Sequence, residues 1–367
     1  MRGQVVYMYA YDVAYEIDLN KVRAGLSRAE FRPVLPEDKT VPRDFPFYQP
    51  LHVGREPITV ASSLGKVTVN REAKIFALGA ISISLRVDFE VPGLGSLIPY
   101  HSLSLTGGES MAQIAARLCE ELLPAVLPHA LRPVEDKGNP EAYTVFCLKD
   151  LGNSRGGKNA QAWLDEWRGE VAGLLTEEEA FDRLSDSEIK ETTRLNYSYT
   201  TDDLAVIDWD GALLVDPEGT FDDLLYILEV ANVQLTEFQI YDRTLERFLD
   251  KAYDDVEAYS RKPPLLKGPG PILGRLKGVL MDLTKMAEEI TNITKFFGDW
   301  HLARIYLGCS ERFHLKEWEN SLEEKLKTLD NLYKMLNDDM NNRRMLLLEA
   351  AIVVLFVVDV AKLLVSR

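Results

Sequence analysis

The stretch YTTDDLAVIDWDGALLVDPEGTFDDLLYILEVANVQLTEFQIYD, Tyr199 to Asp242, contains the change of pattern that decides the fold class. Its first half predicts a β-hairpin with strands Asp203–Trp209 and Ala212–Val215, because the Asp210-Gly211 pair between them is typical of tight hairpin turns. Its second half predicts a helix, because apolar residues recur there every three or four positions. We therefore expect strands to end near residue 215 and long helices to follow.

Upstream of this hairpin, the sequence predicts a mixed α/β domain over residues 1–215. The predicted strands are Val5–Glu16, Ile58–Ala61, Lys66–Asn70, Ile75–Glu90 and Ala142–Leu148, where Ile75–Glu90 is either two strands or one long strand. The predicted helices are Glu109–Arg132 and Ala160–Leu175. Five prolines between Asn20 and Pro50 indicate a long surface excursion between the first strand and the next.

Downstream, three long segments place apolar residues at alternating spacings of three and four, which is the a/d pattern of a coiled coil. They begin near Thr220, Leu276 and Leu315, and the breaks between them lie at Arg261–Pro271 and at Gly298. We predict an antiparallel coiled-coil bundle over residues 216–344. The predicted fold class is α+β, with an N-terminal mixed α/β domain, this long-helix bundle and a C-terminal apolar helix at residues 345–367.

The C-terminal helix, MLLLEAAIVVLFVVDVAKLLV from Met345 to Val365, is charged only at Glu349, Asp359 and Lys362. A helix of this length spans about 30 Å, which matches the hydrocarbon core of a bilayer. One interpretation is a transmembrane helix that anchors the chain, and the other is a helix buried at the centre of an oligomer. The residues that characterise this tail are Leu346, Ile352, Leu355, Phe356, Asp359 and Lys362.

Basic residues lie where a membrane would face the protein. The Arg343-Arg344 pair before the tail favours a body on the cytoplasmic side of a membrane. If the helices alternate in direction, the turn after the first long helix lies at the same end, and residues 258–281 contain no acidic residue. Its basic residues are Arg261, Lys262, Lys267, Arg275 and Lys277. We expect this turn to lie against anionic lipid, with an ordinary solvated turn as the alternative.

A first motif that resembles an enzyme site is LAVIDWDGALL, Leu204 to Leu214. It is similar to the first motif of the haloacid-dehalogenase phosphatases, a resemblance that implies Asp208 as nucleophile and Asp210 as acid/base. That motif requires the first strand of a parallel sheet with further strands after it, whereas only helices are predicted after Val215. A hairpin turn is therefore the preferred interpretation.

A second motif, GNSRGGKN, has the glycine and lysine spacing of a phosphate-binding P-loop at Gly152, Gly157 and Lys158. A P-loop needs a hydroxyl after the lysine to hold magnesium, and Asn159 takes that place. Asp150 also puts a carboxylate beside the supposed phosphate site. A flexible glycine-rich loop is the preferred interpretation.

The composition excludes several classes of protein. The chain has 42 Lys plus Arg against 58 Asp plus Glu, a net charge of -16, which argues against a nucleic-acid partner. Its three cysteines are far apart and its five histidines are scattered, so neither a disulfide framework nor a metal site is predicted. The first 20 residues lack a signal-peptide pattern, and no cofactor is predicted.

The segment from Tyr199 to Asp242 also resembles uncharacterised bacterial proteins that are distantly similar to the "required for meiotic nuclear division" family. The matching features are the strand hairpin and then an acidic helix with Glu229, Asn232 and Glu237, followed by coiled-coil helices and a terminal apolar helix. The resemblance implies an α/β domain on a coiled-coil stalk with a membrane anchor. It also implies a scaffolding or tethering role without known catalytic residues.

These patterns predict a non-enzymatic, membrane-associated scaffold or interaction protein that self-assembles through its helical C-terminal half. The expected partners are further copies of the chain, a membrane and an unidentified protein. The predicted localisation is the membrane, with the body on its cytoplasmic side, and otherwise the cytoplasm. The alternative is a phosphate-handling hydrolase that uses the Asp208-x-Asp210 motif or the loop from Gly152 to Lys158.

Overall fold

The structure of the chain is a computed structural model that describes residues 1–26, 29–31, 50–103, 105, 108–134, 140–151, 159–260, 274, 277 and 300–365. The strands are β1 Arg2–Asp12, β2 Ala14–Ile17, β3 Ala29–Phe31, β4 Leu51–Ser62, β5 Gly65–Ile75, β6 Ala80–Glu90, β7 Ala130–Pro133, β8 Glu141–Asp150, β9 Asn196–Tyr197, β10 Leu204–Ile207 and β11 Gly211–Val215. The helices are α1 Leu19–Gly25, α2 Met111–Val126, α3 Ala160–Leu175, α4 Asp186–Thr192, α5 Asp222–Ser260, α6 Trp300–Arg312 and α7 Leu315–Val365.

Nine of these strands form one sheet in the order β3-β4-β5-β6-β1-β8-β11-β10-β9, and β2 pairs with β7 in a small separate sheet. Within the large sheet, β8 and β11 are parallel and the other neighbouring pairs are antiparallel. The predicted hairpin after residue 203 is confirmed, because β10 and β11 pair antiparallel with Val206 opposite Leu213. Helices then follow β11 among the described residues, so the α+β fold class is confirmed as well.

One face of the sheet is covered by α2 and α3. Alternate residues of β1, such as Val5 and Tyr7, point into the same buried cluster as Leu118 of α2 and Trp163 of α3. The start of α2 is held by a capping box, in which Ser110 and Gln113 exchange side-chain to backbone hydrogen bonds. These helices bury the apolar side of the strands, as their period-two patterns predict.

The other face of the sheet is covered by α5 and α6. The side chain of Asn232 on α5 donates to the carbonyl of Glu141 in β8. Phe313, just after α6, packs edge-on against Tyr143 of β8, with ring centroids 5.2 Å apart. Both faces of the central strands are therefore buried.

The chain divides into two compact units, Met1–Phe238 with Ile293–Lys316, and Gln239–Asn292 with Glu317–Arg367. The predicted segment limits at residues 215 and 344 differ from this division. The difference arises because the first half of α5 and the whole of α6 lie on the sheet. A sequence period alone does not tell whether a helix packs on strands or on another helix.

In the second unit, α5 and α7 run parallel to each other. The Lys325 ammonium contacts the carboxylates of Asp242 at 2.6 Å and Glu246 at 2.7 Å, at sequence separations of 83 and 79 residues. Further along both helices, Ala252 packs in one buried cluster with Leu329 and Leu336. Contacts that advance together along two helices require the helices to point the same way.

The predicted transmembrane helix is wrong. Within the described ranges, every helix falls short of the length and apolarity that crossing a membrane requires. The physical reason lies in the charges of the tail, because only nine residues separate Glu349 from Asp359. Nine helical residues span about 14 Å, roughly half of a hydrocarbon core. The predicted membrane localisation, with the body on the cytoplasmic side, therefore loses the span on which it depended.

Candidate functional site

The Asp-x-Asp-Gly motif forms the turn between β10 and β11. Asp208 follows β10 and is mostly buried, whereas Asp210 is exposed and the side chain of Trp209 is 44% exposed. The backbone N–H of Asp208 donates to the carbonyl of Gly211 at 2.9 Å, which closes the turn. The predicted hairpin is confirmed, but Asp208, which was predicted inside the first strand, lies in the turn, and Gly211 begins β11.

Asp208 is held by an arginine that comes from the end of α6. The Arg312 guanidinium lies 3.0 Å from the Asp208 carboxylate, and the two side chains are 12% and 14% exposed. The same guanidinium contacts the Glu191 carboxylate at 3.0 Å and donates to the Glu191 carbonyl at 2.6 Å. Arg312 thus ties the hairpin turn, the end of α4 and the end of α6 together.

Two further contacts support this turn. The Tyr143 hydroxyl lies 3.0 Å from the carbonyl of Asp208 and 2.9 Å from that of Gly211. The rings of Trp209 and His314 are 5.5 Å apart, which brings the turn against the corner between α6 and α7. The turn therefore packs against that corner.

Partial burial acts on the pKa of both carboxyl groups. It raises the pKa of Asp208, and the Arg312 charge opposes that shift. It also raises the pKa of Asp210, where the Glu177 charge adds to the effect and His101 opposes it. A phosphoryl nucleophile must be ionised and able to reach its substrate, whereas Asp208 already has a close cationic partner.

The strand order around the motif also differs from what a phosphatase site needs. Asp208 follows β10, which is antiparallel to both of its neighbours, and no strand follows β11 among the described residues. The glycine has a structural explanation, since a Cβ at Gly211 would lie 2.7 Å from the Thr144 carbonyl of β8. The motif is thus accounted for by strand pairing and helix docking.

The other sites predicted from the sequence lie mostly outside the described residues. This holds for Gly152, Gly157 and Lys158 of the glycine-rich loop. It also holds for Arg261, Lys262, Lys267 and Arg275 of the basic turn, whereas Lys277 is helical and exposed.

The three cysteines, Cys119, Cys147 and Cys309, are buried free thiols. Burial raises the pKa of Cys147 and Cys309, which suppresses the reactive thiolate. The described ranges contain no group of three or more His, Cys, Asp or Glu that could hold a metal ion.

Sequence reasoning missed a group of polar side chains between the sheet and α5, which we call the sheet–helix cluster. It consists of His52, Glu72, Lys74, Ser82, Ser84, Arg86, Asp222 and Glu229. At its centre the Glu229 carboxylate, with a side chain 1% exposed, contacts the Lys74 ammonium. The Ser82 hydroxyl donates to the same carboxylate at 2.6 Å. A buried charge pair of this kind is stable only when its remaining lone pairs are satisfied, as they are here.

The outer part of the sheet–helix cluster is a chain of polar contacts. The His52 ring contacts the Glu72 carboxylate at 3.0 Å, and Arg86 contacts Asp222 at the start of α5 at 3.1 Å. Burial would raise the pKa of Glu72, but the hydrogen bond from His52 and the charges of Lys74, His52 and Arg86 lower it to about 2.

The signal for this cluster was present in the sequence but ambiguous. Glu72 and Lys74 in β5 alternate with apolar residues, as do Ser82, Ser84 and Arg86 in β6. Such alternation ordinarily predicts a face exposed to water. The cross-strand register puts Lys74 beside Ser82, and only the placement of α5 over them turns this polar face into an interior.

A third feature is the apolar tail of α7, from Met345 to Lys362. Leu346, Ile352, Leu355 and Phe356 are between 61% and 69% exposed. Asp359 and Lys362 are exposed as well. The tail therefore presents apolar side chains to solvent on several sides of the helix.

The family described as "Uncharacterized protein MJ0711, N-terminal domain" matches residues 2–222, which is more than half of the chain. The chain belongs to this family. The MJ0711 N-terminal domain thus covers the large sheet and ends at the first residue of α5. The Asp208 turn and the strand residues of the sheet–helix cluster lie inside it, whereas Glu229, α6 and α7 lie beyond it.

One relative of the MJ0711 family is the uncharacterized protein MJ0711 of Methanocaldococcus jannaschii. It is 22% identical over 246 residues, which cover 66% of this chain and 71% of the relative. No solved structure matches the chain. Neither match concerns the "required for meiotic nuclear division" family, so that resemblance stays a prediction.

Proposed function

We propose that this chain is a non-enzymatic scaffold that self-assembles through its helical C-terminal half. The observation that carries the proposal is the tail of α7, where twelve large apolar side chains between Met345 and Val360 are 43% to 69% exposed. Monomeric proteins rarely expose a continuous apolar surface of more than a few hundred Å². A surface of this kind is normally buried against a partner.

The partner that fits this tail is a second copy of the same chain. Another α7 tail offers apolar side chains of the same length and type. It also offers carboxylate and ammonium groups to the charged residues of the tail, Glu349, Asp359 and Lys362. Hydrocarbon would offer no partner to these charges. An additional protein partner stays a prediction.

The helical arrangement supports the same proposal. In it, the predicted coiled coil within residues 216–344 includes the second half of α5 and the part of α7 before the tail. The contacts of Lys325 with Asp242 and Glu246 support a parallel coiled-coil contact between these two helices. The bundle would then act as a stalk that ends in the assembly tail.

The surroundings of Asp208 support the non-enzymatic part of this proposal. Its ion pair with Arg312 and its place in an antiparallel hairpin suit helix docking better than phosphoryl transfer. The hydrolase alternative makes the opposite prediction, namely that Asp208→Asn abolishes phosphate-ester hydrolysis without loss of stability. We expect no hydrolysis by the unaltered chain and a lower thermal midpoint for the variant.

Sedimentation equilibrium in detergent-free buffer tests self-assembly directly. We expect the full chain to sediment as an oligomer and a chain ending at Asn342 to sediment as a monomer, because the truncation removes the exposed tail. Sedimentation of the full chain as a monomer at tens of micromolar would show that the proposal is wrong. The comparison of the two chains assigns any association to the tail.

A further inference from the structure

His101 is a buried histidine whose two ring nitrogens both lie close to acceptor oxygens. It follows the short helical turn Leu94–Tyr100, and its side chain is 4% exposed. Its Nε2 lies 2.7 Å from the carbonyl oxygen of Leu174, near the end of α3. Its Nδ1 lies 3.3 Å from the carboxylate of Glu177, whose side chain is 57% exposed. The ring therefore links the turn before it to the end of α3.

The hydrogen-bond chemistry of this arrangement depends on protonation. A carbonyl oxygen only accepts hydrogen bonds, so Nε2 of His101 must carry the proton that it donates to Leu174. In a neutral imidazole the other nitrogen, Nδ1, then has a lone pair in place of a proton. That lone pair faces the Glu177 carboxylate, which also only accepts hydrogen bonds when it is ionised. The contact is thus favourable only after an additional proton is bound, and imidazole is the side chain that binds one closest to neutral pH.

Burial favours the neutral form of this ring. It lowers the pKa of His101 below its ordinary value of 6.5. The hydrogen bond to Leu174 and the charges of Glu177 and Asp210 oppose this shift without reversing it. Glu177 faces the ring from the loop after α3, and Asp210 acts on it from the turn between β10 and β11. Phe146 of β8, which packs edge-on against the ring, is uncharged. Acidic solution is therefore needed to protonate His101.

The backbone at Glu177 supplies a second, independent observation. Glu177 follows the end of α3 with a φ of 58°, a left-handed conformation that glycine usually takes at this position of a helix end. The N–H of Glu178 donates to the carbonyl of Gly173 at 2.9 Å, as in a Schellman motif. A residue with a Cβ is strained in this conformation, and strain of this kind is concentrated at sites where a side chain has a role. Here the strained residue is the one whose carboxylate lies against His101.

We propose that His101 and Glu177 form an acid-dependent clasp between the turn that ends at Tyr100 and the end of α3. In acidic solution the protonated ring donates from Nδ1 to the Glu177 carboxylate, while Nε2 keeps its hydrogen bond to Leu174. At neutral pH the ring has lost the Nδ1 proton to solvent, and the partly exposed Glu177 carboxylate turns toward water. The imidazolium charge also attracts Asp210, so acidification draws the loop after α3 and the hairpin turn toward the same ring. The clasp is independent of the proposed self-assembly.

Nuclear magnetic resonance of the histidine rings in the full chain measures the clasp directly. His101→Gln identifies the signals of His101 by their loss. Glu177→Gln removes the carboxylate charge, keeps the size of the side chain and supplies an amide that can donate to a neutral Nδ1. Glu179→Gln is the matched control, because Glu179 is an exposed glutamate of the same loop. Urea unfolding of each variant at pH 7.5 checks that it is folded.

The titration then gives distinct outcomes. We expect His101 of the unaltered chain to carry its proton on Nε2 at pH 7.5 and to bind a second proton at Nδ1 with a midpoint below pH 6.5. Glu177→Gln should lower this midpoint by about half a pH unit, less than the roughly 1 to 3 units of close buried pairs, because Glu177 is partly exposed. Glu179→Gln should leave the midpoint unchanged. An equal midpoint in the unaltered chain and in Glu177→Gln overturns the clasp, and so does an Nδ1 that is already protonated at pH 7.5.

Discussion

The two units of this protein keep their helices in place by different means. In the first unit, α5 lies on a nine-stranded sheet and its Glu229 carboxylate is buried against Lys74 and Ser82. In the second unit, α5 and α7 share a small apolar cluster around Leu329 and Leu336, together with a partly exposed ion pair at Lys325. The first arrangement is complete within one chain, whereas the second extends into a tail with exposed apolar residues. We therefore expect self-assembly to involve the second unit.

The largest expected effect is in the first unit, at Glu229. Glu229→Ala leaves the Lys74 ammonium buried without its carboxylate, and we expect a loss of about 3 to 5 kcal/mol in the free energy of unfolding. Urea unfolding followed by circular dichroism measures the loss. Asp250→Ala, at an exposed position of the same helix, is the control and should change stability by less than about 0.5 kcal/mol. Equal effects of the two substitutions would contradict a buried charge pair.

An acid-dependent effect should follow at Glu72 of the same cluster. The pKa of Glu72 is about 2, below the ordinary value of 4.5. Between these two pH values the folded protein therefore binds fewer protons than the unfolded chain. The contribution of Glu72 is present above pH 4.5 and is lost as the pH falls toward 2. We expect Glu72→Gln to cost about 3 kcal/mol at pH 7, and less at pH 3. Urea unfolding at both values measures this, and a pH-independent cost would refute it.

The smallest expected effect is in the second unit, at Lys325. Burial lowers the pKa of Lys325, but hydrogen bonds to Asp242 and Glu246 raise it above 10.5 overall. Its contribution is therefore present below pH 10.5 and is lost as the pH rises above that value. We expect Lys325→Met to cost about 1 kcal/mol at pH 7, as partly exposed ion pairs do. The cost should disappear in strongly alkaline buffer.

Lys334 supplies the matched control for this substitution. It pairs with Asp330 on the same helix and its side chain is 66% exposed, so Lys334→Met should have almost no effect at either pH. Thermal unfolding at pH 7 and above pH 11 compares the two variants. Equal costs for Lys325→Met and Lys334→Met would show that the contact between α5 and α7 adds nothing to stability.

Local patterns predicted several elements of this fold. Ala160–Leu175 was predicted as a helix, and α3 has those limits. The Asp210-Gly211 pair predicted a hairpin turn, which β10 and β11 confirm. The prediction of two strands or one long strand over Ile75–Glu90 was less accurate, because β5 ends at Ile75 and the single strand β6 begins only at Ala80. Its alternation runs through the turn between two antiparallel strands, so periodicity alone could not separate them.

Contacts between distant parts of the chain could not be predicted in this way. The Lys74–Glu229 pair joins residues 155 positions apart, and the Asp208–Arg312 pair joins a hairpin to the end of a helix in the other half of the chain. Both carboxylates were visible in the sequence, one within an apparent catalytic motif and one on an acidic helix. Their partners depend on which strands and helices meet, which hydrophobic period does not specify.

The sequence by itself determined the α+β class, the hairpin at Asp208 and the apolar character of the α7 tail, since each follows from residue types at short and regular spacing. The tertiary structure alone decided that a polar face of β5 and β6 is buried under α5, and that Asp208 binds Arg312. It also decided that the apolar side chains of the α7 tail are exposed. The physical reason is that burial is a property of whichever surfaces meet, and a short stretch of sequence contains only one of the two.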